Sequence, residues 1–168
     1  MTDTHYMQRA IALAEQALQE GDLPVGAIVV YNNEIIGSGR RAPHQDTRLD
    51  HAEMVALREA SAHFGMNLPR GVTVYTTLEP CMKCAGAMLN AKVERVVYAL
   101  EDPYGGACNF FNQVSAQLPV RHRDDVMTSS GGVLREEVRN LFAQFFSTTT
   151  NEFWTSHPEN PLYKMVMD

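Results

Sequence analysis

Two short blocks limit what this chain can fold into: His51-Ala52-Glu53, and further along Pro80-Cys81-Met82-Lys83-Cys84. Neither block is sufficient alone, so the fold has to bring them together. Zinc favours tetrahedral coordination by nitrogen and sulfur, and a catalytic site leaves one of the four positions open. His51, Cys81 and Cys84 supply three ligands with no fourth signalled nearby, which predicts one Zn2+ per chain. Glu53, two residues from His51, is then left over as a carboxylate that moves protons.

Local physics supports that assignment. Both blocks follow polar or turn segments and open helices, whose N-termini present unpaired N–H groups and a partial positive charge. Thiolates are stabilised there, so Cys81 and Cys84 should bind metal at neutral pH. The Cys-x-x-Cys spacing puts both sulfurs on one helical face. Pro80 suits a first turn because its missing N–H costs nothing there. A zinc with an open position acidifies water toward a pKa of about 7, and a carboxylate beside it can carry the proton to a leaving amine.

Around these blocks the hydrophobic periodicity predicts alternating helices and strands. A helix over Tyr6–Glu20 is read from Met7, Ile11, Ala14 and Leu18, with Gly21 ending it. Val25–Tyr31 reads as a buried strand, Asn32-Asn33 as a turn and Glu34–Gly37 as the returning strand of a hairpin. Arg40–Asp50 is a polar loop delivering His51, and His51–Ala62 is helical with Met54, Ala56 and Leu57 inward. Val72–Thr76 is a strand, Thr77–Pro80 a connection, and Cys81–Asn90 a helix with Ala85, Ala87 and Met88 on its apolar side. Val93–Leu100 is a strand holding Val96, Val97 and Tyr98, followed by a glycine-rich loop over Asp102–Cys108. A helix over Leu134–Phe146 carries Val138, Leu141 and Phe145. The alternation indicates an α/β layered domain.

Asn151–Asp168 breaks the pattern, holding Phe153, Trp154, Pro158, Pro161 and Tyr163 without helical periodicity. The expected organisation is a zinc-dependent domain over residues 1–150 and an aromatic tail over 151–168 packed on it. That tail either covers apolar surface or caps the substrate, with Phe153 and Trp154 stacking on a flat ring.

With 168 residues, 45% apolar and 20% charged, the chain fits one ordinary globular domain. No apolar run approaches a membrane span, and Met1–Glu20 reads as a polar-faced helix rather than a signal peptide. Three cysteines, two of them in Cys-x-x-Cys, fit a reducing cytoplasm better than a disulfide framework. A net charge of −6 gives no overall electrostatic case for nucleic acid. Arg40, Arg41, Arg48 and Lys83 near the blocks still leave room for a local basic patch.

Other chemistries fit less of the pattern. A thioredoxin-like redox pair gives no role to His51-x-Glu53. A structural zinc would need a fourth ligand, for which Cys108, His44 and His63 are the candidates. Cys108 reads instead as a small buried residue, and His5, His63, His122 and His157 as surface or packing residues.

At these residues the chain resembles the cytidine/deoxycytidylate deaminase superfamily, and within it the tRNA-specific adenosine deaminases. Three blocks carry the resemblance: Leu23-Pro24-Val25-Gly26-Ala27, His51-Ala52-Glu53-Met54, and Thr77–Met88 with its Leu-Glu-Pro-Cys-Met-Lys-Cys-Ala-Gly-Ala core. In layout it extends from about Tyr6 to Phe146. The resemblance implies a three-layer cytidine-deaminase-like fold with a central mixed five-stranded sheet flanked by helices, assembled as a homodimer. It implies zinc on His51, Cys81 and Cys84, proton transfer by Glu53, and a base bordered by Val25, Ala27, Ala52 and Pro80.

The implied reaction is hydrolytic removal of an exocyclic amine from a nucleobase-like ring as ammonia. Adenosine in tRNA is the leading substrate, and a free nucleobase or nucleoside of guanine or cytosine type is the alternative. Arg41 stands where the family commonly has an asparagine that holds base or ribose. A guanidinium only donates, so it would suit a phosphate or carbonyl-rich substrate. Asn151–Asp168 also lacks a basic ending, with Lys164 its only Lys or Arg. A non-catalytic deaminase-like subunit is a third reading, opposed by the retention of Glu53.

Overall fold

A computed structural model describes residues 1–43, 45, 48–118, 127–157 and 159–168. The expectations for His44, His122 and Pro158 lie outside the described residues. The elements are α1 (Asp3–Gln19), β1 (Gly26–Tyr31), β2 (Glu34–Arg40), α2 (Ala52–His63), β3 (Thr73–Leu78), α3 (Met82–Asn90), β4 (Arg95–Leu100), α4 (Cys108–Gln113), β5 (Thr128–Ser130), α5 (Arg135–Thr148), α6 (Glu152–Ser156) and α7 (Pro161–Met167), with a 3-10 turn over Ser115–Gln117 between α4 and β5.

The five strands lie in the order β2-β1-β3-β4-β5. β1 pairs antiparallel with β2 and β3, whereas β3, β4 and β5 run parallel. The sheet is therefore mixed, as the resemblance implied. Asn32 and Asn33 both adopt positive φ, 49° and 64°. This is the left-handed pair that a two-residue hairpin needs to match strand twist.

Helices cover both faces. In β1, neighbouring Gly26 and Ala27 point to opposite sides. A Cβ on Gly26 would strike α1 at Ala10 and Ala14, while Gly39, paired with Ala27, lies directly under α2. α5 packs with α1, and α3 with α2. The result is three layers, α1 and α5 on one face and α2 and α3 on the other. Phe142, Met7, Ile28, Val74 and Val96 are among the fully buried side chains.

Several local expectations are corrected. β2 runs on to Arg40, past Gly37, and β3 to Leu78, because pairing to β1 and β4 continues through residues that read alone as turn and connection. α4 and β5 are added within segments read as loop or left unassigned. Met54, Ala87 and Leu141 are only half-buried, whereas Glu53 shares the buried side of α2 with Ala52, Ala56, Leu57 and Ala60.

The tail also differs from its reading as aperiodic. Asn151 and Asn160 accept from the N–H groups of Phe153 and Leu162 and so cap two short helices, the second with Pro161 in its first turn. Leu162 and Val166 are buried, and Trp154 lies against Phe145 and Phe146 at 6.4 and 5.1 Å between ring centroids.

Candidate active site

The C-terminal end of β3 pairs with the start of β1, and α2 packs against both strands. His51 occupies the N-cap of α2 and Cys81 that of α3, neither capping its helix through its side chain. Cys84 lies in the first turn of α3 and is buried. His51 Nδ1 is 3.6 Å from Cys81 Sγ and 3.5 Å from Cys84 Sγ, and the sulfurs are 3.7 Å apart.

Those edges test whether zinc fits. Bonds of about 2.3 Å to sulfur and about 2.0–2.1 Å to nitrogen span tetrahedron edges of about 3.8 Å between sulfurs and about 3.5 Å between sulfur and nitrogen. The triangle matches both values. Among the described residues this is the group of His, Cys, Asp and Glu side chains able to hold a metal ion. Cys108 is buried and His63 sits at the far end of α2, both outside the group.

The Cys84 thiol donates toward Cys81, which lowers the Cys81 thiol to about 3 against the opposing effect of burial, with His51 lowering it further. The same interaction, joined by burial, raises Cys84. A thiolate facing an imidazole nitrogen and a second sulfur is a ready donor set for a cation.

Glu53 is 3% exposed, in the first turn of α2. Burial raises its carboxyl above the usual range, while its own backbone N–H and the charges of His51 and Lys83 pull it down. A buried carboxyl beside metal-binding side chains is suited to accept and return a proton.

The predicted substrate-facing residues fall into two groups. Val25, Ala27, Arg41 and Ala52 come together on the α2 side: Arg41 N–H donates to Val25 O at 3.0 Å, and Ala27 pairs with Gly39 beneath the Ala52 carbonyl. Arg41 is nearly buried and its Nη2 lies 3.6 Å from Asp22 Oδ1. Pro80 and Phe153 instead adjoin the loop over 101–108. Pro80 O accepts from Ala107 N–H, and the Phe153 ring touches Tyr104 of the same loop. Trp154 is turned into the apolar packing of α5, with Phe153 left half-exposed.

Two residues that organise this region were missed in the sequence. Glu79 accepts from the N–H groups of Asp102 and Cys108, fastening the loop over 101–108 beside Cys81. Thr77 Oγ1 donates to Pro24 O and accepts from Gly26 N–H, tying the start of β1 to the end of β3. Both lie in the Thr77–Met88 block, whose density of polar residues beside the cysteines was the available signal.

The chain belongs to the MafB19-like deaminase family, whose model matches residues 1–145. The tRNA-specific adenosine deaminase of Bacillus subtilis (strain 168) is 37% identical over 145 residues, covering 86% of this chain and 88% of that protein. The protein of the same name from Streptococcus pyogenes serotype M18 (strain MGAS8232) is 35% identical over 145 residues, covering 85% and 89%. A solved structure from a study of A-to-I editing by tRNA:A34 deaminases has a TM-score of 0.72 at 30% identity, over 82% of this chain and 99% of that one. A structure in complex with 2,6-diaminopurine has a TM-score of 0.73 at 21% identity over 89% of this chain and 84% of that one, a likeness of fold. The protein is therefore a hydrolytic deaminase with the cytidine-deaminase-like fold. No helix among the described residues is long and apolar enough to cross a membrane.

Proposed function

We propose that the protein is a zinc-dependent deaminase that converts adenosine to inosine in tRNA. The observation that carries the zinc reading is the His51–Cys81–Cys84 triangle, whose edges fit a tetrahedral ion, with Glu53 buried beside it. The relatives named tRNA-specific adenosine deaminase, of similar length, support the substrate.

His51 Nδ1, Cys81 Sγ and Cys84 Sγ would hold the zinc. Bound there, zinc would supply the Lewis acidity that makes water a nucleophile near neutral pH. Glu53 takes a proton from the attacking water and gives it to N1 of the adenine ring as the oxygen bonds to C6. It then carries the remaining hydroxyl proton to the exocyclic nitrogen, and the C–N bond breaks to release ammonia and leave inosine. Val25, Ala27, Ala52 and Pro80 border the ring, excluding bulk water. The catalytic domain comprises residues 1–150, and 151–168 belongs to the same packed unit, supported by Leu162, Val166 and Trp154.

The reading extends to a homodimer in the cytoplasm. Exposed Met82 and Phe110 on α3 and α4 support association, and three free cysteines support a reducing compartment.

One observation favours a free-base substrate instead. Arg40 forms a bidentate pair with Glu20 at 2.7 Å and Arg41 faces Asp22, so the basic residues beside the site are largely matched by acids. Ammonia release from transcribed tRNA and from a panel of free bases and nucleosides decides. Inosine in the tRNA upholds the proposal; turnover of a free base with inert tRNA replaces it.

A further inference from the structure

We propose that Lys83 is a positioning residue that ties the loop delivering His51 to α3, holding the imidazole in register with the two sulfurs. The proposal rests on the zinc reading above. Lys83 Nζ donates to Leu49 O at 2.8 Å, across 34 positions of sequence. Leu49 lies two residues before His51, and Lys83 stands between Cys81 and Cys84 in the first turn of α3. One side chain thus joins the two blocks that supply the donor set.

Helix propensity does not account for a lysine at this position. The N-terminal turn of a helix carries partial positive charge, so a cation there is locally unfavourable. α3 has no acidic residue in its first turn to offset it. The Leu49 carbonyl supplies an acceptor from outside the helix, and a hydrogen bond from a charged donor is among the stronger kinds. The Lys83 charge also favours the ionised forms of Glu53 and Cys84, as expected of an ammonium close to the donor set.

The loop is held from both helices. Asp50 pairs with Arg58 of α2, and Leu49 with Lys83 of α3. His51 follows as the N-cap of α2, with no side-chain cap of its own. The Arg58 pair fastens the loop to α2, but the register of His51 against the cysteines also depends on a tie to α3, which the Lys83 ammonium makes. Partners outside the coordination sphere act on a metal by fixing where its ligands stand. A ligand held in place beforehand loses less freedom on binding, so the tie should appear as slower metal loss.

The test follows zinc release from the full chain to a chromophoric chelator, beside KM of the zinc-saturated enzyme for tRNA. Lys83→Met keeps the apolar stem and removes the donor. It should release zinc about tenfold faster than wild type, with the thermal midpoint of the zinc-free protein unchanged and KM within about twofold. Lys83→Arg keeps a cationic donor and should bring release back to within about twofold of wild type. Should Lys83→Met lose its thermal transition, Lys83→Ala carries the same prediction. Wild-type release from the Met variant overturns the proposal and leaves the zinc reading intact. Unchanged release with a raised KM for tRNA and a shallower salt dependence also overturns it, making Lys83 a phosphate contact instead. A wild-type chain that takes up no zinc removes the zinc reading and this proposal together.

Discussion

Gly106 and Glu79 approach so closely that a Cβ on Gly106 would lie 2.5 Å from Glu79 Oε2 and 2.6 Å from the Asp102 carbonyl oxygen. The Glu79 carboxylate can reach the N–H groups of Asp102 and Cys108 only because residue 106 has no side chain. Gly106 in turn pairs with Cys81. One close contact thus links a second-row carboxylate to the position of a sulfur.

Gly106→Ala should therefore displace the 101–108 loop, since the Asp102 carbonyl is backbone and cannot swing aside. The cost expected for such overpacking is about 1–3 kcal/mol of stability, and the loss of activity should exceed what unfolding explains. Urea titration read beside turnover checks this; wild-type values of both would show that the loop tolerates the methyl group.

Glu53 and Cys84 should separate in their effects. Glu53→Ala keeps all three metal donors and should retain zinc while losing turnover by about 10²-fold or more. Cys84→Ala should lose zinc and activity together. Metal content measured beside ammonia release distinguishes them, and a zinc-replete Cys84→Ala protein would remove Cys84 from the ligand set.

Gly39 controls how deeply α2 sits on the sheet. A Cβ there would lie 2.1 Å from the Ala52 carbonyl oxygen and 2.8 Å from the Ala56 nitrogen. Gly39→Ala should push the start of α2 outward, costing about 1–3 kcal/mol and lowering zinc affinity through His51. Zinc retention against a competing chelator measures the second effect, and unchanged retention would mean that His51 follows the helix without strain.

Arg95 makes a bidentate pair with Asp3, at 2.8 and 2.6 Å, and Tyr75 O–H donates to the same carboxylate at 2.8 Å. The Arg95 guanidinium holds Asp3 below the usual carboxylate range, with Tyr75 assisting against the opposing effect of burial. A depressed folded-state value stabilises above the unfolded value and loses that contribution as pH falls through the folded one. Asp3→Asn should cost about 1 kcal/mol or less near pH 7, because both side chains are more than a third exposed or close to it. The gap from wild type should close at pH below the ordinary aspartate range. A gap that persists there would point to packing of α1 rather than charge.

The sequence by itself determined the alternation of helices and strands, and it singled out the donor set and proton carrier proposed above. His51, Glu53, Cys81 and Cys84 were legible because metal-ligand chemistry restricts residue types and each short spacing keeps its pair within the first turn of one helix. The apolar runs around Val25–Tyr31 and Val93–Leu100 marked strands because both faces of those strands are covered.

Tertiary structure alone decided the rest. β2 beyond Gly37 and β3 beyond Thr76 exist because partner strands satisfy their backbone groups, and β5 is held by pairing to β4 rather than by its own residues Thr128–Ser130. Burial of Glu53, the pairing of Arg41 with Asp22 and the meeting of Tyr104 with Phe153 depend on segments far apart in the chain. Local periodicity carries no information about which distant side chain will arrive, so charge pairing and ring exposure were fixed only when the three layers closed.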